Sequence, residues 1–213
     1  PEALVMGYLR NQRLVDRLDE LAAVHVDWDS EACAITTRGG DWSPEARMAK
    51  RTVTTGCGQG TMFGDWLDDL KPVDSDATLD VATLDLALGR ILALDTVYKR
   101  SGSVHGCALL RNQADAPLLY HVEDVGRHNA VDSITGFMWL DEEHGADKIF
   151  YTTGRLTSEM VMKAAQMGVP FLVSRSGLTR MGLELAGRLG ITLICRARVG
   201  RHLVYTHAHR ITR

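Results

Sequence analysis

The sequence has few cysteines, and it has no segment suited to export or to crossing a membrane. Its four cysteines, Cys33, Cys57, Cys107 and Cys195, lie far apart along 213 residues. A secreted domain stabilised by disulfide bonds would have more cysteines, spaced more closely. No apolar run reaches the length of a membrane span, and no signal-peptide pattern opens the chain. We therefore expect a cytoplasmic protein that does not associate with a membrane.

Several common catalytic motifs are also missing. There is no G-x-G-x-x-G, no Walker loop and no G-x-S-x-G, so the sequence gives no support for a dinucleotide dehydrogenase, a kinase or a serine hydrolase. No C-x-x-C or H-E-x-x-H spacing accompanies His105, the histidine best placed to bind a metal, and we expect no protein-ligated metal. The net charge of −3 gives no reason to expect DNA or RNA as a partner.

Charge is nevertheless distributed unevenly along the chain. From residue 175 onward Glu184 is the single acidic residue, against eight arginines. This asymmetry indicates a local anion site near the C-terminus, although a solvated basic face would give the same pattern. The eight are Arg175, Arg180, Arg188, Arg196, Arg198, Arg201, Arg210 and Arg213.

Hydrophobic periodicity predicts an α/β fold with a mixed sheet flanked by helices. A smaller N-terminal lobe over residues 1–80 precedes an α/β core over residues 81–213. In the lobe we expect a helix at 1–12, strands at 22–28 and 33–37, and a long irregular region at 56–82. In the core we expect strands at 104–110, 118–123, 148–152, 170–174, 191–196 and 202–207, with helices at 83–100, 127–140, 158–167 and 179–189.

Three loops that join a strand to the following helix carry glycine, arginine and hydrogen-bond donors. They cover residues 123–129, 153–159 and 174–179. Such loops gather at the carboxyl edge of a parallel sheet, where helix N-termini and arginines bind anions. Their repetition predicts a phosphate or nucleotide site. The residues expected to contact the ligand are Gly126, Arg127, His128, Gly154, Arg155 and Ser174.

Cys57 lies among glycines in the segment T-T-G-C-G-Q-G at residues 54–60. Glycines leave a thiol unshielded, which suits a nucleophile, but they also suit a tight turn that holds one small residue. A thiolate here could take sulfur from a persulfide or attack a carbonyl. Sulfur relay needs fewer neighbouring groups than attack on a carbonyl, since it needs no histidine base beside the thiol.

Two motifs of the chain are distinctive: E-D-V-G-R-H-N-A-V-D at residues 123–132, and Gly154-Arg155 with Ser158-Glu159-Met160. This pattern resembles the FdhD/NarQ family of formate dehydrogenase accessory proteins. It continues in G-I-T-L at 190–193 and V-Y-T-H at 204–207, and so covers nearly the whole chain as a single domain of that family.

This resemblance implies a sulfurtransferase with a fold similar to that of cytidine deaminases, without their zinc chemistry. It would take persulfide sulfur from a cysteine desulfurase and pass it to the bis-molybdopterin guanine dinucleotide cofactor of formate dehydrogenase. The family's persulfide-carrying cysteine falls on Cys57. Many members have Cys-Gly-x-Cys here, whereas this chain has Gly60 at the second cysteine, so a relay would use one thiol. The family's cofactor-contacting segment falls on Arg196, Ala197, Arg198, Val199, Gly200 and Arg201.

Two other functions fit the same residues. A carrier or chaperone could bring the molybdenum cofactor to its target without transferring sulfur. A redox-sensing regulator is less favoured, because no resolving cysteine lies beside Cys57. Exposed faces of such sheets often pair, so a homodimer is one arrangement to expect.

Overall fold

The computed structural model describes residues 1–39 and 70–213 in full, and residues 51–54 and 60–63 by their backbone. Cys57, the predicted sulfur carrier, lies outside the described residues. The chain divides into two compact units, one of residues 1–69 with 131–143 and the other of 70–130 with 144–213. Among the described residues, no helix is both long and apolar enough to cross a membrane. The expected lobe over residues 1–80 stays a prediction.

The first unit contains helix α1 (Glu2–Asn11) and an antiparallel hairpin of β1 (Leu21–Asp27) and β2 (Ala32–Thr37). These elements confirm the helix and the two strands expected there. Met6, Leu9, Leu14, Val15 and Leu21 form a small buried cluster. A second antiparallel pair joins β3 (Arg51–Thr54) to β4 (Gly60–Phe63).

The second unit is built on a six-stranded mixed sheet with the order β11-β10-β9-β8-β6-β7. Strands β8, β9 and β10 run parallel to one another, and β6, β7 and β11 pair antiparallel. This arrangement confirms the predicted mixed sheet. The strands are β6 (His105–Arg111), β7 (Leu118–Asp124), β8 (Lys148–Thr152), β9 (Phe171–Ser174), β10 (Thr192–Arg198) and β11 (Arg201–Val204).

Helices connect these strands. They are α2 (Val81–Ala93), α3 (Val97–Ser101), α4 (Arg127–Leu140), α5 (Ser158–Met167) and α6 (Arg180–Arg188). Every residue of β8 and β9 is buried, as expected for central parallel strands covered on both faces. On one face, Leu84 and Leu88 of α2 pack against Ile149, Tyr151 and Phe171 of the sheet. The likeness to cytidine deaminases stays a prediction.

The helix predicted over residues 83–100 is wrong, because the chain forms two helices there. Leu94 adopts an extended conformation after α2, and the Lys99 ammonium donates to the carbonyls of Leu92 and Leu94. The Thr96 hydroxyl then caps the new helix α3 by accepting from the Lys99 N–H. Leu94 and Thr96 therefore end one helix and begin the next.

Two further expectations need correction. The region 56–82 is not irregular throughout, since it contains β4, β5 (Leu79–Asp80) and the start of α2. The last strand does not run from 202 to 207. It ends at Val204, and the chain continues through a 3-10 turn, Ala208–Arg210, into β12 (Ile211–Thr212). Strand β12 pairs parallel with β5, a partner more than a hundred residues away that no local pattern reveals.

Candidate functional site

A pocket of about 320 Å³ opens at the carboxyl edge of the sheet in the second unit. It is formed by one face of α2, the first residues of α3, the strand ends and loops of the sheet, and the turn between β10 and β11. Its walls are mainly apolar, and its polar groups include two arginines. It is lined by Leu88, Ile91, Leu92, Thr96, Tyr98, Lys99, Gly106, His121, Glu123, Tyr151, Thr153, Arg175, Ala197, Arg198 and Val199.

Arg175 follows directly after β9 and reaches the pocket between two tyrosines. Its guanidinium carbon lies 5.9 Å from the centroid of the Tyr98 ring. Burial raises the pKa of Tyr151 to about 12, although the neighbouring Arg175 acts in the opposite direction. The phenol therefore stays protonated at neutral pH and brings no negative charge that would oppose an anionic ligand at the pocket.

Glu123 fixes the start of α3 at the pocket wall. Its two carboxylate oxygens accept from the backbone N–H groups of Val97 and Tyr98, each at 2.7 Å. This contact places the Tyr98 ring beside Arg175. Glu123 belongs to the E-D-V-G motif, but its partners lie 25 and 26 residues away, so the sequence alone does not reveal its role.

The predicted arginine segment forms the turn between β10 and β11, which we call the arginine hairpin (residues 196–201). Arg196 has φ of +51°, and the pairing register shifts between Cys195 and Arg198. A bulge of this kind re-aims the side chains that follow it. Of the six predicted residues, Ala197, Arg198 and Val199 line the pocket. Arg196, Gly200 and Arg201 are not part of its lining.

The other predicted contact residues lie around the β7–α4 and β8–α5 loops and do not line this pocket. A Cβ at Gly154 would lie 2.9 Å from Arg127 Cδ, so a side chain there would displace the Arg127 side chain. Ser174 Oγ donates to the Gly154 carbonyl at 2.6 Å. Arg127, Gly154 and Ser174 therefore lie together. Gly126 and Arg155 occupy the same two loops.

His128 lies beside Glu159 and Lys163, two buried charged residues of α5. Neither was among the predicted site residues. Its Nδ1 is 3.3 Å from Glu159 Oε1, and the same oxygen is 3.8 Å from Lys163 Nζ. Burial, followed by the charges of Lys163 and Arg127, lowers the pKa of His128 to about 3. Glu159 and Lys163 are four residues apart in a predicted helix, a spacing that indicates an ion pair on one helix face.

Asp124, at the end of β7, has a different role. Its Oδ1 accepts from the Gly126 N–H at 2.7 Å and from Asn129 Nδ2 at 3.1 Å. Asp124 therefore shapes the loop at the start of α4. His128 is held near α5 instead.

His105, the histidine considered as a metal ligand, lies at the start of β6. Within the described part of the chain, no three His, Cys, Asp or Glu side chains come together as a metal-binding group. Burial, with added repulsion from Arg127 and Arg155, lowers the pKa of His105. Cys107 and Cys195 are buried, and burial raises the pKa of Cys195 to about 12.

Comparison with known proteins places this chain in a family. The model of the FdhD/NarQ family matches residues 1–212. The chain belongs to that family. The sulfur carrier protein FdhD of Staphylococcus aureus strain MRSA252 is 30% identical over 213 residues, covering 99% of this chain and 79% of the relative. The protein of the same name from strain JH9 gives the same figures.

A solved structure resembles this FdhD/NarQ family member along its length. It is the crystal structure of a formate dehydrogenase accessory protein from Desulfotalea psychrophila, with a TM-score of 0.77 and 28% sequence identity. The match covers 99% of this chain and 79% of the other. The mixed α/β fold is therefore shared with a protein of the predicted family.

Proposed function

We propose that this protein is a sulfur carrier that supports formate dehydrogenase. It takes persulfide sulfur from a cysteine desulfurase onto Cys57 and passes that sulfur to the bis-molybdopterin guanine dinucleotide cofactor, its second substrate. Membership of the FdhD/NarQ family supports this assignment, as do the names of two similar proteins, a sulfur carrier protein and a formate dehydrogenase accessory protein.

Loading of the carrier is a thiol–persulfide exchange. The Cys57 thiolate attacks the outer sulfur of the desulfurase persulfide, and a new S–S bond forms between them. The bond from that sulfur to the desulfurase cysteine breaks, and this cysteine leaves as a thiolate. The exchange needs one nucleophilic thiol on the carrier, so Gly60 in place of a second cysteine is compatible with it.

The pocket is the observation that supports binding of the cofactor. It joins apolar walls to Arg175 and Arg198, a combination that suits a flat base attached to phosphates. Its volume of about 320 Å³ is at the lower end of small-molecule sites, which matches the nucleotide end of the cofactor better than the whole of it. Arg127, His128, Gly154, Arg155 and Ser174 would offer a second group of contacts to the phosphates.

Complementation of formate dehydrogenase activity tests this function. In a host that lacks its own protein of this family, C57A and the double variant R175Q/R198Q should each fail to restore activity. R180Q is the matched control, because Arg180 is an exposed arginine on α6 that pairs with Glu184. Full activity of C57A together with loss in R175Q/R198Q would favour the carrier that transfers no sulfur. Full activity of both would overturn the proposal.

A further inference from the structure

A hydrogen bond ties the tip of the arginine hairpin to helix α2. The Gly200 N–H donates to Asp85 Oδ1 at 2.9 Å, joining residues 115 positions apart. Asp85 lies three and seven residues before Leu88 and Leu92, so the three share one face of α2. Leu88 and Leu92 line the pocket. The helix that forms one part of the pocket wall therefore also bonds to the hairpin that forms another part.

The tip itself, Val199 and Gly200, is lightly packed. Gly200 has φ of +73°, and a Cβ built on it would have no atom within 4 Å. Val199 is 53% exposed. Strand β11 is the edge strand of the sheet and only four residues long. At the base of the hairpin, the Arg196 N–H donates to the Ser176 carbonyl at 2.9 Å. Ala197, at the start of the hairpin, is buried in the sheet's core. The Asp85 contact therefore supplies a second fixed point, at the far end of the turn.

We propose that Asp85 is a positioning residue that sets the place of Arg198 at the pocket. This inference rests on the proposed function, in which the pocket binds the phosphate-bearing nucleotide end of the cofactor. Arg198 lies two residues before Gly200 and pairs with Arg201 across the turn. A shift of the tip would move Arg198 with it and weaken its contact with a phosphate.

The negative charge of Asp85 and its hydrogen bond to Gly200 have opposite effects on the binding of an anion. A carboxylate close to an anion site lowers the positive potential there and opposes binding of a phosphate. Charge alone would therefore make loss of Asp85 favourable for the ligand, whereas a hydrogen bond to Gly200 makes it unfavourable. An asparagine keeps an acceptor oxygen at the same position without the charge, so it separates the two effects.

Calorimetric titration with guanosine diphosphate tests the proposal. We expect D85A to raise the Kd about fivefold, the size of one lost hydrogen bond, and D85N to bind as well as the wild type or better. In the R198Q background, which itself weakens binding about tenfold, D85A should have no further effect, because Asp85 acts through Arg198. D80A is the control, since Asp80 caps the same helix through the Ala82 N–H and does not line the pocket.

The outcomes separate this inference from the proposed function. A wild-type protein that does not bind guanosine diphosphate contradicts the nucleotide pocket itself. If the wild type binds but D85A binds equally well, or if the effects of D85A and R198Q simply add, Asp85 does not position Arg198. Equal weakening by D80A and D85A would mean that helix stability is responsible, and it would also overturn the inference.

Discussion

His128 and Glu159 form a contact between a neutral imidazole and a buried carboxylate. Nδ1 lies 3.3 Å from Oε1, which would be an ion pair if the ring were protonated. Burial and the nearby cations Lys163 and Arg127 hold the pKa of His128 at about 3 and keep the ring neutral. The charge of the ring therefore does not change across the physiological pH range.

The neutral state of His128 has a consequence for stability. Its pKa in the folded protein is about 3, against an ordinary value of 6.5. Between these values the unfolded chain binds a proton that the folded protein does not, so stability falls as pH drops below 6.5. Urea unfolding at about pH 7.5 and about pH 5 should show a larger loss for the wild type than for H128Q.

The comparison isolates His128, because the other histidines are present in both proteins and their contributions cancel. Equal losses for wild type and H128Q would contradict the neutral ring. So would an NMR titration of the His128 ring with a midpoint near its ordinary pKa.

The buried pair of Glu159 and Lys163 should be important for stability. Both belong to α5, and their side chains are 11% and 3% exposed. Removal of one charge from a buried pair leaves the other poorly solvated, so E159A should lower the free energy of unfolding by about 3 kcal/mol. E184A is the control: Glu184 forms the same i,i+4 pair with Arg180 on the surface of α6, and its loss should leave the unfolding midpoint unchanged. Similar effects of the two substitutions would refute the distinction.

Gly7 allows α1 to approach α4 closely within the first unit. A Cβ at Gly7 would lie 1.7 Å from the Asp132 carbonyl oxygen, and one at Gly136 would lie 1.8 Å from that of Ala3. G7A should therefore cost about 1–3 kcal/mol of stability. G89A, in the interior of α2 where nothing lies within 4 Å, should instead stabilise by about 0.5–1 kcal/mol. Denaturant unfolding of the two variants measures both values, and a destabilised G89A or an unaffected G7A would contradict this packing.

The thiols should differ in reactivity in the folded protein. Cys33 is exposed, whereas Cys107 and Cys195 are buried. Iodoacetamide should therefore label Cys33 slowly, since partial burial raises its pKa, and should label Cys107 and Cys195 only after unfolding. Peptide mass spectrometry before and after addition of denaturant makes the comparison. Rapid labelling of Cys195 in the folded protein would be inconsistent with its burial.

The sequence was most informative where local pattern and tertiary structure agree. Short apolar runs predict buried strands such as β8 and β9. Glycines and arginines in the sequence mark the βα loops that follow them. The arginine hairpin was located by its charge and by family resemblance. Its bulge at Arg196 was not, because a positive φ at arginine depends on the register of the surrounding strands.

Features that depend on contacts between distant residues could not be predicted from the sequence. Asp85 looks like any exposed acidic residue of an amphipathic helix, and its role depends on a glycine 115 positions away. The break between α2 and α3 depends partly on Glu123, which binds the start of α3 from another strand. The predicted contact residues also divide between the pocket and the Arg127–Gly154 region, since loops at one sheet edge can lie on different sides of it.

Sulfur loading of Cys57 is the most direct test of the central claim. The purified protein is incubated with a cysteine desulfurase and cysteine, digested under conditions that preserve persulfides, and examined by mass spectrometry. We expect a gain of about 32 Da, one sulfur atom, on the peptide that contains Cys57 and none on the peptide that contains Cys33. An unmodified Cys57 while the desulfurase turns over, or sulfur on Cys33 alone, would contradict the proposed relay.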